Sequence, residues 1–216
     1  HWGGGTHEWA QYQGGYATRV IGVGNAASSH PAVNQTTGGG KIPGQYVPVG
    51  QGFYVISDND GGDVVFNNAQ RYFKKEGGTS IFVRQTNENS NNQSNDTNEM
   101  IIGLGFKSSE GFYRPVSIAF GIDGATDNFD NGYDGLAGDF LSNDALLIHD
   151  DNYYVIQSMG EFNEEKEIPL VVFVDEENNN ATQKFMIDRL VNVPNDIEIY
   201  IRDNVSGETH DIINQT

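Results

Sequence analysis

The 216-residue sequence predicts an all-β fold, an antiparallel β-sandwich of jelly-roll type, and three observations point there. Short segments alternate apolar and polar side chains with a period of two, as strands half-buried in a sheet do. Asp-Gly, Gly-Gly and Ser-Gly steps punctuate these segments and supply the turns. Glycine, asparagine and β-branched residues interrupt every window in which a helical spacing of three and four could develop.

Taken in order, the pattern predicts strands at 45–57, 63–66 and 79–84, then at 100–106, 113–120, 145–149 and 153–157. Three more are expected at 167–174, 183–190 and 196–203. The last is the clearest, because Ile197, Ile199 and Ile201 share one face while Glu198, Tyr200 and Arg202 share the other. Segment 167–174 is apolar almost throughout, so it is expected in the middle of a sheet with both faces covered. The turns expected to join strands include Asp60-Gly61-Gly62, Glu76-Gly77-Gly78, Ser109-Glu110-Gly111 and Ser206-Gly207. Residues 86–99 carry no apolar side chain and cannot support a core. They divide the chain into a β-rich module at 1–85 and a β-sandwich module at 100–216, with 86–99 as an asparagine-rich linker, or as a long loop within one domain.

Twelve basic residues against 30 acidic ones give a formal charge of −18. That field repels a phosphate backbone and anionic lipid, so nucleic acid is not an expected partner, and cations are favoured. The longest apolar run, 169–174, is far short of the ~20 residues a spanning helix needs, so membrane insertion is not expected. Without cysteine there is neither a disulfide framework nor a thiolate metal site, and burial must supply the stability.

Three ordered groups of segments carry a resemblance. The first is HEWAQYQGGYATRVIGVG (7–24) with PGQYVPVGQGFYV (43–55) and VFNNAQRYFKKE (65–76). The second is IIGLGFKSSEGFYRPVSIAFGIDGATDNFDNGYDG (101–135). The third joins YVIQ (154–157), EIPL (167–170) and NVPNDIEIYIRDNVSGETHDI (192–212). Together they resemble the β-rich region that precedes the sorting domain in cargo proteins of the type IX secretion system of Bacteroidota. The resemblance implies export across the outer membrane, then release or attachment at the cell surface, with the translocon or surface-attachment proteins as partners. It implies no reaction. Further residues are expected on both sides of the sequence, since the family usually has strands before and after the matching region.

Five aspartates, Asp123, Asp127, Asp130, Asp134 and Asp139, lie among glycines in 121–139. Calcium takes about six to eight oxygen ligands, which carboxylates and loop carbonyls can provide, and Asp123, Asp127, Asp130 and Asp134 are the candidate ligands. The spacing is not that of an EF-hand. The preferred reading is structural: Asx turns that accept backbone N–H groups, with Phe129 and Tyr133 pinning the loop to the core. Calcium is the leading functional alternative. Trp2, Trp9, Tyr12 and Tyr16 form an aromatic cluster that either packs in the first β element or stacks on sugar rings.

Glu161, Glu164 and Glu165 are read as a solvated loop rather than as an acid/base pair. No G-x-S-x-G elbow, phosphate-binding glycine loop or two-histidine zinc spacing is present. The expectation is therefore a non-catalytic extracellular β-sandwich acting as a stalk or adhesion module. The alternative is a carbohydrate-binding accessory domain of a secreted hydrolase.

Overall fold

The structure, a computed structural model, describes residues 16–29, 41–57, 61–73, 99–178 and 180–214. Among them are eleven strands: β1 (Thr18–Arg19), β2 (Gly24–Asn25), β3 (Met100–Lys107), β4 (Tyr113–Phe120), β5 (Gly135–Leu136), β6 (Asp144–His149), β7 (Asn152–Met159), β8 (Leu170–Phe173), β9 (Lys184–Val191), β10 (Tyr200–Arg202) and β11 (Thr209–Asp211). Single 3-10 turns occur at Asn68–Gln70 and Glu176–Asn178. The architecture is all-β and sandwich-like. Among the described residues no helix is long and apolar enough to cross a membrane.

The main sheet runs in the order β8-β6-β7-β4-β3-β9, with β5 paired to β7. Its longest pairing is the hairpin of β3 and β4, in register from Met100 opposite Phe120 to Lys107 opposite Tyr113. Residues 108–112 close it, with Gly111 at φ 89° and the Ser108 hydroxyl accepting from the Phe112 N–H. One pair departs from the antiparallel expectation: β4 and β7 run parallel, Ser117–Phe120 beside Ile156–Met159. Parallel neighbours need a crossover. Here residues 121–151 make it, so the aspartate-rich loop is the first part of a connection that also builds β5 and β6.

Period-two alternation gives this sheet two apolar faces. Ile102, Leu104, Val116, Ile118 and Phe120 form a core on one side, and Ile101, Ala119, Leu146 and Val155 form another. The first is covered by the segment that carries the β10–β11 hairpin, through Ile197, Ile199, Ile201 and the buried Ile212. The second is covered by Val20 and Val23 around the β1–β2 pair and by Ile122 and Tyr133 of the crossover. Residues 18–29, from the expected first module, thus pack on a sheet built from the second. Apart from Glu99, the expected 86–99 linker lies outside the described residues, as do the strand at 79–84 and the turn at 76–78.

Two expectations are corrected. The apolar segment 167–174 supplies β8, which is not central but stands at an end of the sheet. Val171 and Phe173 pack on one core and Leu170 on the other, so an end strand is apolar on both faces because both cores extend beneath it. Segments 45–57 and 63–66 form no ladder among the described residues. Pro48 removes a donor, Gly50 turns at φ 88°, and most of the apolar side chains there face solvent.

Candidate functional site

The crossover loop leaves the sheet at Gly121, whose φ of 73° admits a sharp turn, and Gly124 turns again at φ 90°. A side chain at Gly124 would collide with the Tyr133 hydroxyl, 2.5 Å from where its Cβ would sit. Tyr133 packs on the second core and Phe129 lies beside Tyr154, with ring centroids 6.0 Å apart. A loop without ladder partners must satisfy its N–H groups some other way. Aspartates do this here. Asp130 accepts from the Thr126 N–H, while Asp134 accepts from the Asp130 N–H at 2.8 Å and the Ser158 N–H at 2.7 Å. Burial pushes the Asp134 carboxyl up, against the pull of those two N–H groups.

Of the four predicted ligands, the structure brings Asp130 and Asp134 together. Asp127 points instead to the 160–166 turn, accepting from the Gly160 N–H and pairing with Lys166, whose hydrogen bond is the main reason its carboxyl titrates low. Asp123 is exposed. Among the described residues no three His, Asp or Glu side chains are gathered where one cation could reach them. Glu161, Glu164 and Glu165 border the shallow depression that also takes in Asp127 and Lys166.

The fifth aspartate has a different role. Arg114 of β4 is only 2% exposed. It donates from Nε and Nη2 to both oxygens of Asp144 at 2.8 Å, and from Nη1 to Asp139 at 2.7 Å. Burial alone would lower its pKa, yet the bonds and charges of Asp144 and Asp139 outweigh that and hold it above the usual arginine value. Asp139 also accepts from the Ser28 hydroxyl, and Asp144 from the Leu141 N–H. Asn143 donates to Glu110 and accepts from the Asp175 N–H. This clasp ties together the N-terminal layer, the β3–β4 turn, the crossover and the end of β8. Sequence reasoning missed Arg114, Asp144 and Asn143. The legible signal was an arginine sharing strand parity with Val116, Ile118 and Phe120.

A second polar layer crosses the other face of β3, where glycines make room. A Cβ on Gly105 would overlap the Tyr113 hydroxyl, which donates to Asp188. Burial, then this bond and the charge of Asp188, push the Tyr113 pKa far up; burial also raises Asp188. Nearby, Asn25 donates to the Pro115 carbonyl and accepts from Ser117, and Arg189 donates to the Gly24 carbonyl. These bonds fasten β2 to the main sheet.

Of the four aromatic candidates, Trp2, Trp9 and Tyr12 lie outside the described residues. Tyr16 is exposed and meets Tyr54 edge-on, with centroids 5.5 Å apart. It adjoins an apolar strip whose residues up to Phe66 were expected in strands 45–57 and 63–66. Val49 is 93% exposed, Tyr54 77% and Phe73 91%, and Phe53, Ile56 and Phe66 are more than half exposed. The strip's rings meet one another, Tyr46 stacked on Tyr72 at 4.8 Å and Phe53 against Phe66 at 6.0 Å. These side chains form an exposed aromatic and aliphatic strip among the described residues.

Comparison with curated proteins and with solved structures finds no match. A family model described as a domain of unknown function, DUF8693, matches residues 2–216. The chain belongs to that family.

Proposed function

We propose that this protein is a non-catalytic, extracellular β-sandwich module of a type IX secretion cargo, serving at the cell surface as a stalk or adhesion element. The observation that carries the adhesive part is the exposed aromatic and aliphatic strip between Tyr46 and Phe73. Rings that pair with one another yet stay open to solvent offer a large contact area at low entropic cost. The acidic surface supports the same reading, because charge of one sign keeps a chain with such a strip from coalescing. Carboxylates of the crossover loop are spent on backbone N–H groups, a stiffening role that suits a stalk.

Two measurements test the reading. Antibodies against the chain should label intact cells of a Bacteroidota host and lose that label when the translocon is disabled; unchanged labelling removes the secretion clause. Beads coated with the purified chain should adhere to cells, and replacing Phe53, Tyr54 and Phe66 together by serine should abolish adhesion while the β-type circular dichroism persists. Equal adhesion by the triple variant removes the adhesive clause.

The exposed Tyr16–Tyr54 pair favours a second reading, a carbohydrate-binding accessory domain of a secreted hydrolase. Binding on a glycan array that is lost in Tyr54→Ala with the fold retained would select it over the first.

A further inference from the structure

The end strand β8 and the hollow beside it were absorbed by neither reading. The Ile148 N–H donates to the Pro169 carbonyl, and Leu147 to Asp144 of β6 face Leu170 to Phe173 in antiparallel register. In such a ladder, residues bonding inward alternate with residues bonding outward. Pro169, Val171 and Phe173 bond inward, and the Asp175 N–H continues the alternation by donating to Asn143. Leu170, Val172 and Val174 therefore direct their N–H and C=O groups away from β6. No strand among the described residues lies on that side, and none of the three has a further bond elsewhere.

A hollow borders the end of β8, lined by Phe140, Leu141, Val172 and Phe173. Phe140 is 61% exposed and Val172 41%. Phe140 and Phe173 both stand edge-on to Tyr153, so the hollow has a fixed aromatic wall. Carboxylates bracket the strand, with Glu164, Glu165 and Glu167 before it and Asp175, Glu176 and Glu177 after it. Lys166, the cation nearest in sequence, is already engaged by Asp127, and Arg202 pairs with Glu167.

We propose that β8 is a docking edge for an extended peptide of another protein, added as a further strand, with apolar residues at alternate positions and Lys or Arg at both ends. The outward backbone groups supply the ladder, the aromatic wall receives the alternate apolar side chains, and the flanking carboxylates select basic ends. A second copy of this chain is disfavoured as the occupant, because two bodies of charge −18 would have to meet at their acidic brackets. The proposal uses none of the residues of the 46–73 strip, so it stands or falls apart from the adhesive reading.

The test is fluorescence anisotropy of the full chain with a labelled nine-residue probe, three valines alternating with two threonines between paired lysines. Binding should weaken about tenfold or more in Val172→Pro, which removes an outward N–H while leaving the inward bonds to β6, and in Phe140→Ala. The wild-type chain should also reject a probe N-methylated at alternate amides and a probe with glutamates in place of lysines, which keeps the test decisive if a variant fails to fold. Absence of binding, equal affinity for the N-methylated probe, or sedimentation showing that the chain pairs with itself through this edge would each overturn the proposal.

Discussion

A guanidinium enclosed in a sheet is tolerable only when its donors find oxygen, and Arg114 reaches two carboxylates and the Asp139 carbonyl. Removing one partner is worse than removing both, because it leaves a buried charge short of an acceptor. Asp144→Ala is expected to cost about 3–5 kcal/mol in urea unfolding, whereas a double change to Met at 114 and Leu at 144 should recover most of that loss. A double variant as unstable as the single one would show that the clasp acts through shape alone. Half of this pair was legible in the sequence, as a charge on the buried parity of an apolar strand. The partners were not, because Asp139 and Asp144 lie 25 and 30 residues downstream and only the crossover brings them back. Gly105 was similarly silent: nothing in the sequence announces that a tyrosine hydroxyl occupies the place of its missing side chain.

Elements whose partner is adjacent in the chain were read well. The β3–β4 hairpin declares itself through alternation on both arms and a glycine in the turn, and the face of Ile197, Ile199 and Ile201 packs on the core as expected, although only Tyr200–Arg202 of the expected strand 196–203 forms one. Elements whose place depends on distant neighbours were read less well. An apolar run does not distinguish a central strand from one at the end of a sheet with two cores, which is how β8 was misplaced. The crossover loop illustrates the same limit for chemistry, since aspartates that cap N–H groups and aspartates that hold calcium have the same composition. Their bonds decide the expected outcome. With Asp134 accepting from two N–H groups and Asp127 facing Lys166, a chelator is expected to leave the melting temperature unchanged. Stabilisation of about 2.7 kcal/mol at a calcium concentration a hundred times its dissociation constant would instead assign the loop as a cation site.

At the scale of the molecule, titration and net charge act together. Burial raises the carboxyls of Asp134 and Asp188, so each holds its proton to higher pH folded than unfolded. Their contribution to stability is fully present below the unfolded value and is lost as pH rises through the folded one. Asp127, Asp203 and Asp211 are lowered, by the Lys166 bond, the Val205 N–H and the Asn214 side chain respectively. They contribute above the unfolded value and lose that contribution as pH falls through their folded values. Self-repulsion at a charge of −18 also relaxes on acidification. The melting temperature is therefore expected to be higher at mildly acidic pH than at pH 8 and to drop again in strong acid. Asp188→Asn, which keeps an acceptor for Tyr113, should flatten the upper slope, and added salt should reduce the deficit at pH 8 by screening. Calorimetry across that range checks each sign.

The two coverings of the main sheet come from opposite stretches of the polypeptide, one around Val23 and the other closing at Ile212. A chain emerging N-terminus first can assemble the β3–β4 hairpin early. It has no lid for one side of that hairpin until residues 197–212 are free. The core beneath residues 197–212 is therefore expected to close only once that segment has joined the sheet.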